Sequence, residues 1–129
     1  MLRFDTMTTR VAACILAPLG GLGCFTDCTT NVVPAIAADV RSAPTGLPLA
    51  DSAIGFAIDG AYSDSLIACG GDSLGRITTI CGAWERAGIY TVVVTRPGYQ
   101  RWSQASVSAP RRACHVQTQT VHAAMAPNP

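Results

Sequence analysis

The sequence predicts an all-β domain, namely a single seven-strand antiparallel β-sandwich that follows an N-terminal signal segment. Three observations support this fold class. Apolar and polar residues alternate with a period of two over most of the chain, glycine and proline are frequent between the alternating segments, and a helical apolar period is missing. The length of 129 residues fits one domain.

Residues 1–23 have the pattern of a secretory signal peptide. The apolar stretch Val11–Leu19 is too short to span a bilayer, and small residues follow it at Gly20–Gly23. Asp5 is unusual in front of such a signal, and a start at Met7 would remove it. We therefore expect the chain to be exported.

The segment Gly21-Leu22-Gly23-Cys24 resembles a bacterial lipobox, in which the cysteine becomes the lipidated first residue of the mature protein. Ordinary signal peptidase cleaving after Gly23 would leave the same first residue without lipid, because Gly21 and Gly23 provide the required small residues. The sequence thus predicts a lipid anchor at Cys24, followed by a flexible lead over residues 24–34. The expected location is the cell envelope, with the protein either lipid-anchored or periplasmic or secreted.

The charge balance excludes several classes of partner. Residues 24–129 contain seven arginines, no lysine and seven acidic residues, so their formal net charge is zero. A polybasic nucleic-acid binder is therefore excluded, and long-range steering of a charged partner is not expected.

Alternation predicts the first strands of the sandwich. In residues 35–41, Ile36, Ala38 and Val40 alternate with their neighbours, and a turn follows at Pro44-Thr45-Gly46. Residues 54–59 alternate in the same way, with Ile54, Phe56 and Ile58 as the large apolar members. Asp59-Gly60 is typical of a tight hairpin turn and leads into a third strand, Tyr62–Ile67.

The segment Ile89–Thr95 is the strongest strand prediction, because it is rich in β-branched residues and lacks charge. Turns at Gly70-Gly71-Asp72 and at Pro97-Gly98 separate it from its neighbours. The other strands are predicted at Arg76–Cys81, Tyr99–Val107 and Cys114–Val121. The domain therefore spans residues 35–125, and residues 126–129 form a loose tail that cannot add a ladder strand.

Two stretches resemble carboxypeptidase regulatory-like domains. Ala35–Arg41 followed by Pro44–Leu49 resembles the opening of such a domain, and Glu85–Tyr99 resembles its signature segment, in which a Gly-x-Tyr opens a strand and a Pro-Gly-Tyr ends it. Ala87 departs from the proline often found there. The resemblance covers Ala35 to Met125 and implies a transthyretin-like (Ig-like) sandwich of the exported, non-catalytic kind, which accompanies peptidases or outer-membrane receptors or stands alone on surfaces.

The cysteines are typical of a disulfide-stabilised exported domain. If Cys14 is lost with the signal and Cys24 is lipidated, an even number remains, which predicts two disulfides with three ways of pairing. Cys69 and Cys81 bracket a glycine-rich turn between adjacent predicted strands, so we expect Cys69–Cys81 and, with it, Cys28–Cys114. Without the lipid, Cys24 would be an odd thiol.

A metal site and a catalytic site are less compatible with the spacing. Cys69, Cys81, Cys114 and His115 contain donor types that bind zinc, but the close Cys-x₂₋₄-Cys pair of structural zinc sites is missing. Cys114 and His115 are adjacent on a predicted strand and so point to opposite faces, which also argues against a nucleophile–base pair. No metal, no other cofactor and no enzymatic activity are expected.

Trp84, Tyr99 and Trp102 are the candidate binding residues, because exposed aromatic rings bind sugars and protein partners. The alternative is that some of these rings fill the core of the sandwich. The sequence as a whole predicts a lipid-anchored structural or interaction module that binds other envelope proteins. A small periplasmic or surface binding protein for a glycan or small ligand is the alternative.

Overall fold

The computed structural model describes residues 28–129 and shows an all-β fold. The signal segment 1–23, the start at Met7 and the lipidation at Cys24 lie outside the described residues. One short 3₁₀ turn, Ala50–Ser52, is present among them. The strands are β1 (Pro34–Ser42), β2 (Ile54–Asp59), β3 (Tyr62–Gly71), β4 (Ile77–Trp84), β5 (Gly88–Thr95), β6 (Trp102–Ala109), β7 (Arg111–Arg112), β8 (His115–Val116) and β9 (Gln119–Met125).

Seven strands form one hydrogen-bonded sheet in the order β6-β5-β2-β3-β4-β1-β9. The first half of β3 pairs with β2 and its second half pairs with β4, so β3 connects the two parts of the sheet. The two edge strands β6 and β9 pack against each other, and the sheet therefore curls almost into a barrel. The short strands β7 and β8 form a separate hairpin.

The expectation of a purely antiparallel arrangement is wrong for one pair of strands. β1 and β9 are parallel, with Ile36 beside Gln119 and Ser42 beside Met125. The reason is that β6 already finishes at the end of the sheet where β1 begins, and the β7–β8 hairpin keeps the chain at that end until β9 starts. β9 leaves from that end and so runs in the direction of β1, which makes the sheet mixed.

The core lies inside the curled sheet and is built from alternate residues of several strands. Ile36 and Val40 of β1 and Tyr90 and Val92 of β5 are completely buried, as the alternation of these segments requires. The Tyr90 hydroxyl is satisfied there, because it donates a hydrogen bond to the backbone carbonyl of Arg86.

Strand β2 presents its large side chains to the outside. Ile54 and Phe56 are exposed, whereas Gly55 and Ala57 are buried. The inner position at Gly55 has no room for a side chain, since an added Cβ would lie 2.8 Å from Ile80 Cδ1 and 2.9 Å from Leu66 Cδ1. The small residues of β2 therefore complement large residues of β3 and β4 across the core.

The sheet has two distinct ends, which we call the Cys28 end and the Pro127 end. At the Cys28 end, β1, β3, β5 and β9 begin and β2, β4 and β6 finish, with Pro34 beside Trp84 and Gly88 beside Ala109. At the opposite end, Pro127 forms an isolated bridge with Tyr99. The N-terminal lead and the C-terminal tail therefore leave the domain at opposite ends.

The described part of the lead and the C-terminal tail both form hydrogen bonds with the domain. Val33 of the lead exchanges hydrogen bonds with Glu85, and the amide of Asn128 in the tail donates to the carbonyl of Gly98. The turn at Pro97-Gly98 leaves backbone groups without strand partners, and the tail satisfies them.

Candidate functional site

Two disulfides fix the domain at different places, and they join the two pairs expected from the sequence. Cys69–Cys81 connects β3 to β4 with a Cα–Cα distance of 5.8 Å. Cys28–Cys114 connects the lead to the β7–β8 hairpin with a Cα–Cα distance of 5.4 Å. The second bond fixes the position at which the lead joins the domain.

Glu85 holds the Cys28 end together. Its carboxylate accepts hydrogen bonds from the Val33 amide at 3.0 Å and from the Val116 amide at 3.3 Å, and it lies 2.6 Å from His115 Nδ1. The hydrogen bond with His115, followed by those from the two amides, keeps the pKa of Glu85 below its ordinary value. One carboxylate thus connects the lead, the β4–β5 loop and the β7–β8 hairpin.

His115 extends this network to Thr29, whose Oγ1 lies 2.9 Å from His115 Nε2. Hydroxyl, imidazole and carboxylate stand in the order that hydrolases use for a nucleophile, its base and an orienting acid. Thr29 is nevertheless exposed on the lead. An exposed hydroxyl lacks the water-excluded surroundings that strengthen such a chain, so we interpret these three residues as a structural clasp.

A second charged cluster supports the same end of the sheet. Arg86 Nη1 donates to Asp59 Oδ2 at 3.0 Å, and its guanidinium lies 3.8 Å from the centre of the Tyr62 ring. Hydrogen bonds with Tyr90 and Asp59 raise the pKa of Arg86, while burial raises the pKa of Tyr62. Arg86 thus covers the edge of the core at the turn between β2 and β3.

The three candidate aromatic residues do not form one surface. Trp84 lies at the Cys28 end, where it is partly exposed at the last position of β4. Tyr99 and Trp102 lie near the Pro127 end and pack partly against the core. The length of β5, about 23 Å for seven steps of 3.3 Å, separates the two groups.

A cleft of about 340 Å³ opens at the Pro127 end, lined by Pro48, Asp51, Gly75, Arg76, Ile77 and Arg96. Arg96 donates to Asp51 at 3.2 Å and its guanidinium lies 5.4 Å from the centre of the Tyr99 ring, but its buried Nε has no hydrogen-bond partner. Arg76 donates through Nε to Asp72 at 2.8 Å, which leaves its terminal nitrogens available to a ligand. Two guanidinium groups at one cleft are suited to binding an oxyanion.

The turn that positions Arg76 is organised by Asp72. Asp72 Oδ1 accepts hydrogen bonds from the amides of Leu74 and Arg76, and these contacts lower the pKa of Asp72. The Asp72 carboxylate therefore has its hydrogen-bond partners within the turn. Sequence reasoning identified the turn at residues 70–72 but not the cleft, because Arg96 and Asp51 join it only through the pairing of β2 with β5.

Within residues 28–129, no group of three or more His, Cys, Asp or Glu side chains is placed to hold a metal ion. The same residues contain no helix that is long and apolar enough to cross a membrane. Comparison with known proteins gives no further assignment, since no protein-family model and no curated protein matches the chain.

Proposed function

We propose that this protein is an exported, lipid-anchored and non-catalytic interaction module of the cell envelope, built on a transthyretin-like sandwich of the carboxypeptidase regulatory-like kind. Its anchor is Cys24, and its partners are other envelope proteins. The two disulfides support export, because such bonds form and persist in oxidising compartments outside the cytoplasm.

The opposite placement of the two ends of the domain is the observation that carries the proposal. Cys28 is fixed to Cys114 at one end, only four residues after Cys24. The Pro127 end, with the Arg76–Arg96 cleft, lies on the far side of the sheet. A lipid at Cys24 would therefore hold the domain by one end and leave the other end open to partners.

The family resemblance gains support from the places its motifs occupy. Gly88-Ile89-Tyr90 opens β5 with Tyr90 completely buried, and Gly98 takes a positive φ of 86° in the turn after β5. Such a turn favours glycine, because other side chains rarely adopt this conformation. A buried tyrosine at the start of β5 and a glycine turn after it are compatible with the resemblance.

The intact mass of the protein purified from its native envelope, before and after reduction, tests this function. We expect an acylated chain that begins at Cys24 and gains the mass of four hydrogen atoms when the added reductant opens the disulfides, two for each bond. An unmodified chain beginning at Cys24 would contradict the anchor and leave a diffusible module. A native protein with reduced cysteines would contradict export altogether.

The cleft favours a second candidate function, the binding of a glycan that carries a carboxylate. Arg76 and Arg96 offer donors to such a group, and Pro48 and Ile77 provide apolar surface beside them. The test is an NMR titration with galacturonic acid and, as the neutral control, galactose. We expect amide shifts at residues 75–77 and at Arg96 with the acid only, and their loss in Arg96→Gln. Equal shifts with both sugars would refute this function.

A further inference from the structure

The Cys28 end displays apolar and cationic side chains side by side. Val32 and Ile89 are each 62% exposed, and the Trp84 ring is exposed at the end of β4. Arg111 and Arg112 are exposed on the β7–β8 hairpin. Tryptophan, aliphatic residues and arginine are the side chains found where proteins meet the headgroup region of a bilayer.

The acceptors that the two arginines of this hairpin bind are uncharged groups. Arg111 Nη2 donates to the backbone carbonyl of Glu85 at 2.6 Å, and Arg112 Nε donates to the side-chain amide oxygen of Gln117 at 2.8 Å. Neither forms an ion pair with a residue in the described part of the chain.

The carboxylates that the structure describes at this end are engaged within the domain. Glu85 binds His115 and two backbone amides, Asp59 binds Arg86, and Asp64 accepts a hydrogen bond from the Ala83 amide at 2.8 Å. The positive groups therefore point outward while the negative groups are held by neighbours. This arrangement complements an anionic surface even though the formal charges of the end nearly cancel.

The short lead would keep the Cys28 end close to a lipid anchored at Cys24. Cys24 lies four positions before Cys28, and a fully extended chain advances about 3.5 Å per residue, so the backbone of Cys24 lies within about 14 Å of that of Cys28. Cys114, bonded to Cys28, is two residues from Arg112. The hairpin is thus kept close to the headgroups, where a weak contact becomes effective because it is intramolecular.

We propose that the Cys28 end docks on an anionic lipid bilayer, with Arg111 and Arg112 on lipid phosphates and Trp84, Val32 and Ile89 at the headgroup boundary. The proposal rests on the anchor at Cys24 proposed above. It goes further, because a lipid tether alone allows any orientation of the domain on the membrane. Contact through the Cys28 end would orient the strands away from the bilayer and direct the Arg76–Arg96 cleft away from the membrane.

Quenching of Trp84 fluorescence by brominated lipids tests the docking. The protein carries Trp102→Phe, so that Trp84 is the remaining tryptophan, and is placed in vesicles of phosphatidylcholine with or without phosphatidylglycerol. If the intact mass shows no acyl chain, the Cys24 thiol is coupled to a maleimide lipid, which attaches the domain at the same residue. Failure of the natural anchor and failure of the docking are thereby separated.

We expect strong quenching in vesicles that contain phosphatidylglycerol, and weaker quenching at high salt. Each of Arg111→Gln and Arg112→Gln is expected to reduce the docked-to-undocked ratio by about fivefold. The matched control is Arg101→Gln, which removes an exposed charge at the Pro127 end and should leave the quenching unchanged. Quenching that is the same in both kinds of vesicle, or unchanged in both hairpin variants, would overturn the proposal.

Discussion

The two disulfides should differ in how much they stabilise the fold, and double replacement by alanine measures the difference. Cys28–Cys114 closes a sequence separation of 86 residues, and Cys69–Cys81 closes one of 12. If a disulfide acts by restricting the unfolded chain, these loops correspond to about 4.6 and about 2.8 kcal/mol. Removal of the longer loop is therefore expected to lower the free energy of unfolding by about 1.8 kcal/mol more, a factor of about 20 in the unfolding equilibrium.

The native state modifies this ranking only slightly. Without its disulfide the lead gains freedom, but the reciprocal hydrogen bonds between Val33 and Glu85 limit that freedom to the exposed residues before Val33. Urea unfolding under oxidising conditions, followed by tryptophan fluorescence, measures both double variants against the wild type. The m-value should also rise more for Cys28→Ala/Cys114→Ala, because a longer unfolded segment becomes accessible. Equal losses for the two variants, or the reverse order, would refute the loop-entropy reasoning.

Three further predictions concern single residues. Because the pKa of Glu85 is lower in the folded state than its ordinary value of 4.5, the ionised carboxylate stabilises the fold at pH values above 4.5. This stabilisation is lost as the pH falls through the pKa that Glu85 has in the folded state. Urea unfolding at a series of pH values should therefore show a smaller acid-induced loss for Glu85→Gln, and an unchanged loss would contradict the clasp. Gly71→Ala should cost about 1–3 kcal/mol, since its Cβ would lie 2.8 Å from the Arg76 carbonyl oxygen. The neighbouring Gly70→Ala, whose nearest contact is 3.4 Å, is the control, and equal thermal stability of the two variants would argue against this close approach. Tyr90→Phe should cost about 1–2 kcal/mol by removing the buried donor to the Arg86 carbonyl. Thermal unfolding measures this loss, and wild-type stability in the variant would show that the bond contributes nothing.

The alternation of apolar and polar residues predicted where the strands lie better than it predicted which face of each strand is buried. In β1 the apolar residues Ile36 and Val40 are inside, whereas in β2 the equally regular Ile54 and Phe56 are outside. Alternation with a period of two indicates only that the two faces of a strand differ in polarity, and it does not indicate which face is buried. The inner face of β2 is decided by Leu66 and Ile80, which occupy the space at Gly55, and these residues belong to other strands.

Features that depend on distant pairing could not be read from the sequence. The parallel contact between β1 and β9 joins segments whose individual patterns fit an antiparallel sheet equally well. In the same way, the sequence does not link Glu85 to His115, because the two lie 30 residues apart and meet only through the Cys28–Cys114 bond and the β7–β8 hairpin. The disulfide pairs could be predicted from the sequence, because the even number of cysteines and the turn between Cys69 and Cys81 restricted the possible pairings.

The parallel pairing of β1 with β9 also determines when the protein can fold. The two strands lie roughly 80 residues apart in sequence, and β1 acquires its second neighbour only after β9 is present. If the chain is exported unfolded, as the proposed signal segment would allow, it lacks its complete sheet until β9 has crossed the membrane. Such distant contacts also slow folding. Under that proposal, completion of the sheet and oxidation of Cys28 with Cys114 take place in the receiving compartment.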